Sequence, residues 1–259
     1  MPVFSDNEFR KFLGEPLETR YDWGDEWRFM VSRDTLEDFK VSIKDTIFDH
    51  HTFFNLHEEI KALGFRFTAD AIKDRYSGNP KDHKTQMGNL GEVFGAHLAR
   101  TYLNFCGKPV YPKRYNTNPD QSQKGIDILG FKDKSSPAEL LVGEVKVRTD
   151  FDQSAIREDY ENLYKHQISG NLSKKLHFAR AYFRDDRESL ENVGRHEKQG
   201  TPVRSLLLSI TEASRFEPFK KISEYRDRYG TIVNLLAIHI EISGLNELLP
   251  SLFSGESYA

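Results

Sequence analysis

"GIDILG", Gly125 to Gly130, is followed by "LLVGEVKVRTD", Leu140 to Asp150, and how this pair is read decides the fold. Both alternate as strands do, with the turn-like "DKSSP" (Asp133 to Pro137) between them. Side chains two apart share a face, so Glu144 and Lys146 continue the row begun by Leu140 and Val142, while Val145 and Val147 point the other way. In the first strand Asp127 is flanked by Ile126 and Ile128. An isolated buried charge costs several kcal/mol, so charges that extend apolar rows need a counter-ion or a chemical role. The short connection makes the two strands antiparallel neighbours and brings Asp127 toward Glu144. Two carboxylates that close persist only with a proton or a divalent cation between them.

Upstream, "TQMGNLGEVFGAHLARTYLNF" from Thr85 has helical spacing, with Met87, Leu90, Phe94, Leu98, Tyr102 and Phe105 on one stripe. Glu92 lies off that stripe, on a small-residue face with Ala96, Ala99 and Leu103. Gly88, Gly91 and Gly95 would allow this helix to approach a sheet closely, and His97, Arg100 and Asn104 form its polar face. "KPVYPKRY", Lys108 to Tyr115, reads as a short edge strand. Downstream come helices near Ser154 to Ile168 and Leu172 to Phe183, then the apolar strands "VRSLLLSIT" and "TIVNLLAIHIEIS". The order helix, three strands, helix, strand predicts an α/β (α+β) core over residues 81–259, a mixed β-sheet flanked by helices. Residues 1–80, with an expected strand at Trp27 to Ser32 and helices at Leu36 to Phe48 and Phe53 to Leu63, read as a helix-rich N-terminal docking or regulatory portion. "RYSGNPKDHKTQ", Arg75 to Gln86, is the expected linker.

Composition narrows the classes. With 259 residues, 37% hydrophobic and 30% charged, the chain is a folded protein rather than a disordered one. No apolar run approaches the ~18 residues of a membrane span, and a cytoplasmic location with no membrane partner is expected. The single cysteine, Cys106, excludes an internal disulfide and any multi-thiolate metal site. The formal net charge of −3 means that a polyanion must be attracted by a local basic patch. His50, His51 and His57 lack the cysteines or the HExxH spacing of a zinc site and mark a helix boundary instead. No GxxxxGK[ST] loop is present, so any ATP-driven step belongs to another chain.

The residue types fit hard-cation chemistry. Mg²⁺ takes oxygen ligands and is commonly held by one or two carboxylates together with substrate phosphate. Asp127, Glu144 and the backbone carbonyl of Val145 supply such oxygens, and Lys146 beside them would orient water or stabilise developing negative charge. Lys113, Arg114, Lys124 and Arg148 surround the cluster in sequence as candidate backbone-phosphate contacts.

Glu92 on a helix, "GID" with Asp127, and "GEVK" with Glu144 and Lys146 together resemble the PD-(D/E)xK nuclease superfamily, with Ile126 where the motif's proline stands. The resemblance implies a restriction-endonuclease-like core and an Mg²⁺-dependent deoxyribonuclease in which Mn²⁺ can substitute. Asp127, Glu144 and Glu92 would bind the metal, Lys146 would assist water, and Gln167 or Tyr160 on the following helix would be accessory. More narrowly, "GNLGEVFGAHLAR" and "GIDILGF" with "LLVGEVKVR" resemble HamA, the nuclease subunit family of the Hachiman anti-phage defence system. That implies DNA as target and a helicase partner (HamB-like) that restrains and releases the activity. The rival expectation is a catalytically silent DNA-binding or scaffold subunit of the same fold.

Overall fold

The computed structural model describes residues 4–51, 81–108, 127–132, 139–148, 153–168, 191, 194–195, 202–212 and 217–253. In chain order these give α1 (Asp6–Leu13), β1 (Leu17–Tyr21), β2 (Gly24–Val31), α2 (Arg33–Asp38), α3 (Lys40–His51), α4 (His83–Thr101), β3 (Cys106–Lys108), β4 (Ile128–Lys132), β5 (Glu139–Arg148), α5 (Gln153–Ile168), β6 (Val203–Glu212), α6 (Ile222–Tyr229), β7 (Leu235–Ile242) and α7 (Leu245–Phe253). The expected helices at 53–63 and 172–183, residues 75–80 of the expected linker, the strand beyond Lys108, and Lys113, Arg114, Lys124 and His57 lie outside the described residues, as do the side chains of His50 and His51; the end of that linker, His83 to Gln86, is instead the first turn of α4, capped by Asp82.

The strands form one mixed sheet of seven, in the order β1-β2-β7-β6-β5-β4-β3. The local trio β3, β4 and β5 is antiparallel, and between β4 and β5 the short connection over 133–138 requires it. The strands β5, β6, β7 and β2 run parallel. Their near-continuous apolar character follows from burial on both faces: every residue of β7 is buried.

Alternation splits these strands between two cores. Val145 and Val147, Leu206 and Leu208, and Ile238 and Ile240 join one core with α1, α3, α4 and α7. Leu140 and Val142, Leu207 and Ala237 join the other, beneath Ile156, Tyr160 and Leu163 of α5 and Ile222 and Tyr225 of α6. The helix α4 sits low on the first face because a Cβ at Gly91 would lie 2.8 Å from Val147 and one at Gly95 would lie 2.3 Å from Ile128. Gly88 is different: a Cβ there meets nothing within 4 Å, so it contributes nothing to the close approach expected of it.

The boundary expected at residue 80 does not separate one core from another. The strand β2 pairs with β7 inside the sheet, and Phe4, Phe9 and Phe12 pack in the same core as Phe94 of α4. This N-terminal cover also buries part of the polar face expected on α4. His97 is buried, with ring centroids 5.4 Å from Phe9 and 6.0 Å from Phe4. Burial, aided by the neighbouring Arg100 charge, pushes its imidazole down to about 4.

Candidate active site

The site forms where β5 outruns β4. The antiparallel register ends at Ile128 opposite Gly143, and continuing it by one residue sets Asp127 across from Glu144. The side of β5 that β4 would have covered is then closed by a side chain: the Val145 N–H donates to Asp127 Oδ2 at 3.0 Å. A strand residue directs its N–H and its carbonyl to the same side, so the Val145 carbonyl faces this gap as well. Asp127 therefore has a structural task, capping the unpaired strand, in addition to whatever charge it brings.

Glu144, Lys146 and Arg148 rise from β5 on the α5 face, in the row begun by Leu140 and Val142. Glu144 is buried, at 5% exposure. The Lys146 Nζ lies 3.2 Å from Oδ1 of Asp159, a carboxylate on α5 that is wholly buried. Burial acts to lower the lysine, but the carboxylates of Asp159, Asp127 and Glu144 outweigh it and raise it above its ordinary value. Lys146 is therefore a fixed ammonium. Asp159 is pushed up to about 7, chiefly by burial and then by the Glu144 and Asp127 charges, with Lys146 opposing. Among the described residues no donor meets either oxygen of Asp159 with hydrogen-bond geometry.

Glu92 reaches the site from α4, on the other face of the sheet. It nevertheless lines the same cleft as Asp127 and Lys146, a space of about 440 Å³ that wraps around the open side of β5, with Lys84, Asn89 and Arg148 also in its walls. Glu144 is not among the cleft-lining residues; it stands behind them. Asp82 caps the first turn of α4 through Thr85, its Oδ2 accepting from the backbone N–H at 2.8 Å, and this fixes the helix end that borders the cleft. Arg148 keeps a buried Nε that finds no partner among the described residues.

The accessory pair stands elsewhere. The Tyr160 hydroxyl donates to the Gly230 carbonyl at 2.8 Å. Gln167, two helical turns past Asp159, donates to Ser205 Oγ at 2.8 Å and exchanges hydrogen bonds with the Val233 backbone. Both side chains fasten α5 to the loop before β7, and their polar groups are spent there.

Asp159 was missed from the sequence although a signal existed. Ala155, Ile156, Tyr160 and Leu163 form the buried stripe of α5, and Asp159 falls within it at helical spacing. The test that singled out Glu144 on a strand, a charge where the period asks for an apolar residue, works here with a period of 3.6.

The donor set decides how a cation would fit. Among the described residues no three His, Cys, Asp or Glu side chains stand close enough to cage a metal ion. The expected meeting of three carboxylates around one ion is thus not met by these side chains: Glu92 arrives from the opposite face and Glu144 lies behind the cleft. Asp127, Glu144 and the Val145 carbonyl are hard oxygens with one fixed ammonium among them, which suits a largely hydrated Mg²⁺ held by one or two carboxylates better than an all-protein cage.

Two comparisons bear on family. Residues 28–234, most of the chain, match the family model described as HamA. The Hachiman protein HamA of Bacillus cereus is 41% identical over 83 residues, which are 32% of this chain and 28% of that protein, so the match spans little more than a quarter of that relative's length. A family model that runs from within β2 to the threshold of β7 takes in β3 to β6, α4, α5 and the whole acidic cluster, and on that match this chain belongs to the HamA family.

Proposed function

We propose that the chain is a metal-dependent deoxyribonuclease of the PD-(D/E)xK type, acting in Hachiman anti-phage defence. The observation that carries the reading is the conjunction at the end of β4: Asp127, Glu144 and Lys146 share one face of adjacent strands, and Asp127 and Lys146 open on a cleft that Glu92 also lines. The element order α4, β3, β4, β5, α5, β6 is that of the proposed superfamily's core. The family match and the name of the Bacillus cereus relative support the defence role.

In this reading Asp127 and Glu144, with the Val145 carbonyl, would hold Mg²⁺, and Glu92 would add its carboxylate from across the cleft. The bound ion supplies Lewis-acid polarisation of the phosphodiester and a more acidic water. Lys146, kept as an ammonium by the surrounding carboxylates, hydrogen-bonds the scissile phosphate or the attacking water and offsets charge that develops in the transition state. It is not a free amine and does not serve as the general base. Lys84 and Arg148 flank the cleft and would contact backbone phosphates without reading sequence. The chain has no phosphate-binding loop for ATP, so strand separation falls to a helicase partner, which restrains the cleft until DNA is engaged.

The lack of a three-acid cage among the described residues favours a second reading, a silent DNA-binding or scaffold subunit. Plasmid cleavage separates them. Full-length protein, alone and with its helicase partner, is incubated with supercoiled DNA in Mg²⁺ or in chelator, beside Lys146→Ala. Mg²⁺-dependent nicking or linearisation that Lys146→Ala lacks is expected; equal cutting by both proteins would sink the assignment.

A further inference from the structure

We propose that Asp159 is a positioning residue for this chemistry: from α5 it tethers the Lys146 ammonium at the cleft wall, aimed at the entering phosphodiester. The inference rests on the nuclease reading of the cleft, and what carries it is the unusual situation of one carboxylate.

Asp159 is 0% exposed and sits in the apolar stripe of α5 between Ile156 and Leu163. Neither of its oxygens receives a well-directed hydrogen bond among the described residues, and its ion-pair partner there is Lys146, at 3.2 Å. The other polar side chains that hold α5 down are built differently. Tyr160 and Gln167 reach backbone atoms with satisfied bonds, as fastenings do. Apolar residues at both 146 and 159 would fasten the helix as well, because replacing a whole buried ion pair by well-packed apolar groups is often neutral or stabilising. Retaining an acid here has a local effect instead. Lysine is a point charge on a flexible four-carbon stem, and Asp127 and Glu144 in the sheet also attract this one. Left to those two, the ammonium would neutralise the carboxylates needed for a cation. Asp159 draws it from the helix layer, which fixes its direction and leaves the strand carboxylates free. The Lys146 side chain is 31% exposed and lines the cleft, so the tether does not withdraw the residue from the site.

The test compares full-length wild type with Asp159→Asn, Lys146→Ala and the double variant, each with its partner where cutting requires it. Melting temperature in chelator, duplex affinity in Ca²⁺ and cleavage rate in Mg²⁺ are measured. Asp159→Asn is expected to melt no lower than wild type and to bind DNA with similar affinity, while kcat falls roughly 10- to 100-fold at little-changed KM. The double variant should cut no more slowly than Lys146→Ala, because the two residues act through one group. Asp159→Glu, which keeps the charge but shifts it by a methylene, should lose less rate and provides a second variant if the amide folds poorly. Wild-type kcat in Asp159→Asn, or a double variant slower than Lys146→Ala by the full Asp159→Asn factor, overturns the positioning role alone. A wild type that cuts no DNA under any condition overturns the nuclease reading and this role with it.

Discussion

The two faces of the central sheet are made by alternate residues of the same strands, yet they have opposite characters at the carboxyl ends. Toward α4, β5, β6 and β7 present Val145, Val147, Leu208, Ile210, Ile240 and Ile242, an unbroken apolar surface. Toward α5 the apolar rows stop at Val142, Leu207 and Ala237, and the register then lines up Arg28, His239, Ser209 and Lys146, followed by Met30, Glu241, Thr211 and Arg148. Among the described residues, most of the buried side-chain polar atoms without a hydrogen bond belong here: Arg28 Nε, His239 Nδ1, Arg148 Nε and both oxygens of Asp159. One face holds the fold and the other, beyond the carboxyl ends of parallel strands, carries the proposed site. Open α/β sheets commonly use that end for ligands.

The largest test of this contrast is to remove charge from the polar face. Glu144→Gln is expected to cut DNA at least about a thousand-fold more slowly, roughly 4 kcal/mol in barrier. The melting temperature in chelator should hold or rise, since buried charge has been removed. Asp127 is the instructive exception. It accepts from Val145 N–H, so Asp127→Asn, which keeps an acceptor, should leave the fold intact, whereas Asp127→Ala orphans that donor at a cost of about 1–3 kcal/mol. Equal melting of the two would deny the capping role. On the apolar face the pattern inverts. Ile240→Ala empties a fully buried position and should lower stability by about 2–5 kcal/mol, seen as a lower urea midpoint, with cleavage per folded molecule unchanged.

What the sequence disclosed follows the same division. β4 to β7, α4 and α5 carry strong local periods, and the pairing of Asp127 with Glu144 followed from a short turn, so the centre of the sheet and three members of the cluster were legible. β1 and β2 were not, as sheet members. Every residue of β1 is exposed and β2 is only half-buried, because an edge hairpin has weak alternation. Its parallel partner β7 lies some two hundred residues on, and no local pattern encodes so distant a pairing. The burial of His97 under Phe4 and Phe9 was hidden for the same reason. Glu92 lines the cleft from α4, but a helix period does not say which side of the sheet the helix covers.

Acid separates the two faces more finely. His97 on the α4 side is held down to about 4 and His239 on the other to about 3, both chiefly by burial with a nearby arginine adding to it. Their native values lie below the unfolded 6.5, so from pH 6.5 downward the unfolded chain binds protons the native one refuses, and stability falls. Each contributes a slope of about 1.4 kcal/mol per pH unit, ending near pH 4 for His97. Asp159 has the opposite sign. Its native value of about 7 lies above the unfolded one, so it adds stability at low pH that is lost as pH rises toward 7. The net expectation in chelator is a fall of about one proton's worth between pH 6.5 and 4, and Asp159→Asn should steepen it toward two. An unchanged slope would mean that the Asp159 charge is not carried in the way its burial implies.

The smallest effect marks where burial stops mattering. Arg33 on α2 and Glu247 on α7 form an ion pair as close as any at the site, but their side chains are 56% and 65% exposed. Solvent screens the pair, and holding two long side chains in one geometry offsets most of its attraction. Arg33→Ala is therefore expected to change stability by no more than about 0.5 kcal/mol, with the effect vanishing at about 1 M salt. The Lys146–Asp159 pair at 3.2 Å is longer, yet Lys146→Ala should cost several times as much, because it leaves a wholly buried carboxylate without its counter-charge. If the two substitutions moved the urea midpoint equally, distance rather than burial would govern ion pairs in this protein, and the case for a specialised face would lose its energetic basis.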